Sequence, residues 1–174
     1  SVTDAKGHVR LDTAHIALPD FRLTTPVSWL KASADMDFST FADTNPGVMR
    51  LKMDASIGKS DMLLALGMMP LQFVLRLPEQ PLALHADIKG NMKNLKIRDI
   101  SAKLPTAFNI KADGKAGNLT DLDRLTADIN LDARADNISF LQPALGLDKN
   151  TTVRIPNGIT LKGNCKVNGP QYAT

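Results

Sequence analysis

The chain has one cysteine, one tryptophan, one tyrosine and one glutamate, Glu79, in 174 residues. Each scarcity excludes something. Cys165 alone makes no intrachain disulfide and no thiolate cluster for zinc. Its place in an alternating run predicts a small buried or half-buried side chain rather than a nucleophile. Aromatics are 5% of the chain, too few for the stacking platforms of single-strand nucleic-acid binders, and no dense Lys/Arg cluster appears in the sequence. Nucleic acid is therefore not expected as a partner. No run of eighteen apolar residues occurs, so no stretch reads as a membrane-spanning helix.

Catalytic signatures are missing too. His8, His15 and His85 lack the i, i+4 spacing of a zinc helix. Gly58-Lys59-Ser60 ends like a phosphate loop, but Met53 stands where its first glycine belongs, and Gly114-Lys115-Ala116-Gly117-Asn118 lacks the required ending. Asp35 and Asp37 share a strand face and read as solvated charge. Nothing marks a Ser-His-Asp set. No catalytic residue, metal ligand or cofactor site is expected.

What is present is alternation. Leu30, Ala32, Ala34, Met36 and Phe38 alternate with polar residues, as do Met49, Leu51, Met53, Ala55 and Ile57. Leu82, Leu84, Ala86 and Ile88 form a third run, and Leu125, Ala127, Ile129, Leu131, Ala133 and Ala135 a fourth. A period of two gives each strand one apolar and one wet face. The many inward alanines and methionines suit a tightly curved sheet interior. Turn chemistry at Asp43-Thr44-Asn45-Pro46-Gly47, Leu77-Pro78-Glu79-Gln80-Pro81 and Ile155-Pro156-Asn157-Gly158 separates the runs and predicts pairing between sequence neighbours. The expected fold is all-β: an antiparallel meander forming an elongated, curved, taco-like sheet.

Short helical inserts interrupt it. Ser60-Asp61-Met62-Leu63-Leu64-Ala65-Leu66-Gly67 carries capping residues, helix formers and a terminal glycine, predicting a short helix near residues 60–69. Asn137 to Gly146 predicts a helical turn near 137–146, and Thr120 with Asp123 has the spacing of a helix start before Leu125. Two degenerate units follow, residues 1–80 and 81–174, the second including the start of a further unit. A smaller motif recurs as Ile88-Lys89-Gly90-Asn91-Met92-Lys93, Gly114-Lys115-Ala116-Gly117-Asn118-Leu119 and Leu161-Lys162-Gly163-Asn164-Cys165-Lys166.

The functional question is what the apolar phase does. Met49, Leu51, Met53, Leu71, Phe73, Leu75, Leu82, Leu84, Ile129 and Leu131 are the candidate groove residues. Soft, methionine-rich surfaces adapt to variable apolar partners. Two outcomes stay open at this point: a closed sandwich core packed on itself, as in a structural or adhesion scaffold, and an open groove for acyl chains.

The run from Leu84 to Ile97, then Phe108 to Gly114, Asn118-Leu119 and Leu125 to Leu131, resembles the repeats of the AsmA-like and TamB proteins of diderm bacteria. Val153-Arg154-Ile155-Pro156 with Ile159 to Gly163 is similar to the start of another such unit. The resemblance covers most of residues 80–170 and, more weakly, 5–70, and rests on strand phase and the Lys-Gly-Asn positions. It implies a periplasmic, gutter-shaped β-sheet in the cell envelope, carrying phospholipid in an apolar groove and supporting outer-membrane biogenesis. Further implied are an outer-membrane assembly protein as partner and a membrane anchor outside this sequence. That expectation agrees with ends, Ser1-Val2-Thr3 and Pro170-Gln171-Tyr172, that read as cut from a longer protein. The helical inserts depart from the simplest repeats and are placed to cap or plug a groove.

Overall fold

The computed structural model describes residues 2–42, 44–65, 77–137 and 158–169. Ten strands form one antiparallel sheet: β1 (Asp4–Lys6), β2 (Arg10–Leu11), β3 (His15–Thr24), β4 (Trp29–Asp37), β5 (Met49–Ile57), β6 (Leu82–Asn91), β7 (Asn94–Leu104), β8 (Phe108–Gly117), β9 (Thr126–Ala135) and β10 (Ile159–Asn168). From β3 to β10 each strand pairs with its sequence neighbour, while β1 and β2 both pair with β3. The expected all-β antiparallel, curved meander is the observed fold, and the described strands form an open sheet. β5 pairs with β6 over nine residue pairs, so strands from residues 1–80 and from residues 81–174 belong to one sheet.

Alternation explains why these residues form strands, and its interruptions explain where they bend. The apolar phase steps from Leu18 to Phe21 in β3 and from Ile97 to Ile100 in β7, three residues instead of two. At each step the structure inserts one extra residue as a β-bulge: Pro19-Asp20 oppose Ser33, and Arg98-Asp99 oppose Asp113. A bulge adds twist and bends the strand. Proline fits at the first, since the ladder is already broken there.

Two glycines of the recurring motif mark tight approaches between strands. Gly90 (φ +143°) and Gly114 (φ +149°) adopt a conformation that disfavours any side chain. A Cβ at either would stand 2.1 Å from a carbonyl oxygen of the following strand, Asn94 O and Asp128 O respectively. Gly163, at the matching place in the third copy, has nothing within 4 Å.

The short helix expected near residues 60–69 is seen as far as the described residues reach, and the helix start expected before Leu125 takes another form. Helix α1 covers Lys59–Ala65. The start predicted from Thr120 and Asp123 is a single 3-10 turn, Leu122–Arg124. Asp121, not Thr120, organises that turn, its Oδ1 accepting from the Asp123 N–H at 3.1 Å. The alternation beginning at Leu125 overrides helix propagation. A second 3-10 turn, Phe38–Phe41, replaces the strand end expected at Phe38. The turn proposed for 137–146 lies, beyond Asn137, outside the described residues.

Burial is sparse. Among the described residues only Ala55, Met62, Leu77, Ala86, Leu95, Leu104 and Ala107 are buried hydrophobics. Met62, Leu77, Leu104 and Ala107 form one cluster, with Ile57, Leu63, Leu82 and Phe108 packed around it. The firm core therefore lies where α1 meets one end of the sheet. Cys165 is exposed, contrary to the buried position read from its alternation. It sits on β10, which pairs only with β9 among the described strands, so the phase rule holds but no neighbour covers it. No described helix is long and apolar enough to cross a membrane.

Candidate functional site

Following the register across the sheet assembles the apolar side chains into rows. One row runs Leu23, Leu30, Ala55, Leu84, Ala102, Ile110, Ala133, Leu161. The next runs Phe21, Ala32, Met53, Ala86, Ile100, Ala112, Leu131, Gly163, and a third Leu18, Ala34, Leu51, Ile88, Ile97, Gly114, Ile129, Cys165. Strand side chains at matched register share a face. The apolar phases of β3 to β10 therefore make one continuous surface, about 34 Å wide at the usual strand spacing. Large and small residues alternate along the second row without exception. This spacing relieves crowding on an inward-curving face, as in small barrels.

Of the candidate residues, Met49, Leu51 and Met53 lie on β5, Leu82 and Leu84 on β6, and Ile129 and Leu131 on β9. All seven fall on this face and are half-buried, while their polar neighbours Arg50, Lys52, Asp128 and Asn130 are exposed. Strands β7 and β8 separate the β5–β6 group from the β9 pair. Leu71, Phe73 and Leu75 lie outside the described residues. Ile97, Ile100 and Ile110, which bridge the two groups, were absent from the candidate set; the three-residue step at Ile97–Ile100 was the signal for them.

One end of the face is closed by α1, held through a polar clamp. Gly58 packs so closely on the β3–β4 turn that a Cβ would stand 2.5 Å from Val27 O. Its N–H donates to Ser28 Oγ at 2.9 Å. Asp61, in the first turn of α1, accepts from the hydroxyls of Thr25 and Ser28. The Ser28 and Thr25 hydrogen bonds hold the Asp61 carboxyl below its ordinary value, because they favour the charged form. The clamp points Met62 into the core cluster and leaves Leu64 76% exposed.

Beside that helix lies a hollow of about 380 Å³, lined chiefly by Val2, Leu23, Leu30, Ile57 and Leu64, with the Asp61 clamp at its margin. Val2 and Leu64 are largely exposed. A concave, mostly apolar space with a few fixed polar groups is the usual form of a small-ligand site. Neither Leu64 nor Val2 belonged to the candidate set, since the clamp brings α1 to the sheet and β1–β3 pairing brings the N-terminal residues there.

The opposite face is polar and largely charge-balanced. Lys162 meets Asp132 at 3.0 Å, Lys166 meets Asp128 at 3.8 Å, and Arg98 meets Asp87 at 3.8 Å. His85 Nδ1 lies 2.6 Å from Asp54 Oδ1. That hydrogen bond, and then the charges of Asp54, Asp99 and Asp87, raise the His85 pKa above its ordinary value of 6.5. Among the described residues no group of three or more His, Cys, Asp or Glu side chains is placed to hold a metal ion.

The chain matches no protein-family model, no curated protein and no solved structure.

Proposed function

We propose that this chain is a non-catalytic, periplasmic segment of a diderm envelope protein, of the AsmA-like and TamB kind, whose apolar sheet face shields phospholipid acyl chains. In that role it supports outer-membrane biogenesis together with an outer-membrane assembly protein. The observation that carries the reading is the continuous apolar surface, in register over eight strands and half-exposed. Moving methylenes from water onto such a surface gains about 0.8 kcal/mol each when burial is complete. Methionine and alanine rows grip chain length weakly, which suits passage rather than storage. Exposed contiguous apolar surface of this extent marks an interaction site.

The competing reading is a scaffold whose apolar faces seal against each other. Its support is the α1 cluster, where Met62 and Leu104 are buried; it requires the same closure along the rest of the sheet. Photo-crosslinking separates the two. A crosslinker at Leu84 or Leu131 is expected to trap phospholipid in bacteria, and one at the neighbouring Asn130, on the other face, is not. Native mass spectrometry of the purified chain is expected to show bound phospholipid. Absence of lipid from both experiments, or equal trapping from Leu131 and Asn130, overturns the proposal.

A further inference from the structure

On the polar face one row departs from charge balance. Arg50 of β5 is opposite Lys89 of β6, Lys89 is opposite Lys96 of β7, and Lys96 is opposite Lys115 of β8. Four cations thus stand side by side on consecutive strands, about 4.8 Å from one to the next. Like charges directly opposite each other in a sheet are unfavourable. Other cations on this face have a carboxylate beside them: Asp132 stands between Lys111 and Lys162, and where Lys6, Arg22 and Lys31 oppose one another, Lys6 is paired with Asp4 at 3.0 Å and Asp54 follows Lys31 in register. None of the four has a carboxylate within ion-pair distance among the described residues. Asp128, which follows Lys115 in register, is engaged by Lys166 and by Asn164 Nδ2 at 2.5 Å.

The row also borders a hollow. The β7 bulge at Arg98-Asp99, opposite β8 just before Gly114, bends the sheet here. A groove of about 860 Å³ results, lined by Lys96, Arg98, Lys115 and Lys166 with the amides of Asn130 and Asn164. Of its two carboxylates, Asp128 is engaged as above and Asp113 accepts from the Asn130 amide at 3.0 Å while keeping its charge. The four cations of the lining outnumber these two carboxylates, and Lys96 and Lys115 have no ion-pair partner among the described residues. No lining residue is aromatic, which removes the stacking surface a nucleic-acid strand would use.

We infer that this groove binds a ligand bearing several phosphate groups, one phosphate bridging Lys96 and Lys115 and the others following the row toward Lys89 and Arg50. A phosphate offers several charged acceptor oxygens, enough to serve two ammonium groups at once. A row of four cations calls for more than one such group. The site lies on the face opposite the apolar rows, so it stands or falls independently of the acyl-chain reading.

The test uses tripolyphosphate as a soluble probe and vesicles of phosphatidylglycerol, with phosphatidylcholine vesicles as the neutral comparison. The variants are Lys96→Gln/Lys115→Gln and, as a charge-matched control on the same strands and face, Lys103→Gln/Lys111→Gln. Wild type and control are expected to bind tripolyphosphate in calorimetry at low salt, weakening as salt rises. The Lys96→Gln/Lys115→Gln variant is expected to bind about tenfold more weakly or worse, and to melt higher than the control variant without ligand, because repulsion is relieved. Lys96→Arg/Lys115→Arg, which keeps the charges, is expected to retain binding. Binding of tripolyphosphate alone identifies a soluble phosphate compound; co-sedimentation with phosphatidylglycerol but not phosphatidylcholine identifies a lipid headgroup; in either case loss in the Lys96/Lys115 variant supports the site. Equal weakening in the two Gln variants, or no binding to either phosphate probe by wild type, overturns it.

Discussion

Replacing three of the four motif glycines, Gly90, Gly114 and Gly163, one at a time by alanine separates their roles. At Gly114 the new Cβ would lie 2.1 Å from Asp128 O and 2.9 Å from Ile129 Cα. An ordinary carbon–oxygen contact is roughly 3.3 Å or more, so β9 would have to retreat by more than an ångström, about a quarter of the strand spacing. The obstructing atoms are backbone and cannot rotate away. Holding alanine at φ +149° adds strain of about 1–3 kcal/mol, and forced overpacking costs about as much again. Gly114→Ala is therefore expected to lose about 2–6 kcal/mol. Gly90→Ala should fall in the same range, with φ +143° and Asn94 O at 2.1 Å. Gly163→Ala meets no atom within 4 Å and is expected to be neutral or to gain up to about 0.5–1 kcal/mol, as a strand glycine replaced without strain. Urea denaturation with linear extrapolation measures all three. A Gly163→Ala loss as large as that of Gly114→Ala would refute the reasoning, as would a Gly114→Ala stability within about 0.5 kcal/mol of wild type.

Four further outcomes follow from the same geometry. The raised His85 pKa means that its contact with Asp54 stabilises the fold fully below the ordinary value of 6.5 and is lost as pH rises through the higher folded value. His85→Gln should remove that part of the decline in denaturation profiles taken across neutral pH; an unchanged profile contradicts the assignment. Asp61 is lowered, so its clamp contributes above the ordinary carboxylate value of 3.8 and is lost as pH falls through the lower folded value. Asp61→Asn should make the acid limb shallower without abolishing it, because Asp12 and Asp20 are lowered as well. Leu104→Ala, at 3% exposure, is expected to cost about 2–5 kcal/mol, whereas Leu161→Ala, at 56%, should stay within about 0.5 kcal/mol of wild type; comparable losses would mean that the far end of the apolar face is sealed. Cys165 should react with a thiol reagent in the native protein as completely as in denaturant.

Period-two alternation made most of the sheet legible. The run Met49 to Ile57 coincides with β5, and the runs beginning near Leu30, Leu82 and Leu125 fall within a few residues of β4, β6 and β9. Each has a clean phase and a turn at its end. β7 was harder because its phase jumps at Arg98-Asp99, so simple alternation does not span it. The apolar candidates on β5, β6 and β9 could be named because phase assigns a face. What phase does not assign is register. The cation row and the hollow beside α1 both depend on which residue stands opposite which, and on a clamp linking Thr25 and Ser28 to Asp61, more than thirty positions away. The exposure of Cys165 was hidden for a related reason: alternation gives the direction of a side chain but not whether a strand lies beside it.

Register joins the two proposed surfaces physically. In a sheet with period two, sliding one strand by a single residue exchanges its faces. Slipping β8 by one residue against β7 would bring Lys111 and Lys115 into the apolar rows and turn Ile110 and Ala112 toward the cations. The apolar side chains are only half-buried, so burial alone enforces this register less strongly than in a closed core. Backbone features compensate. The Gly90 and Gly114 contacts admit a neighbouring carbonyl at only one position, and each bulge absorbs one irregular step in the sequence, restoring the phase beyond it. The β7 bulge thus acts on both sides: it keeps Ile97 and Ile100 together on the apolar face and hollows the polar face beside Lys96 and Lys115. A chain that keeps its greasy side accessible has to fix strand register by such local means, and the same means set the cation row.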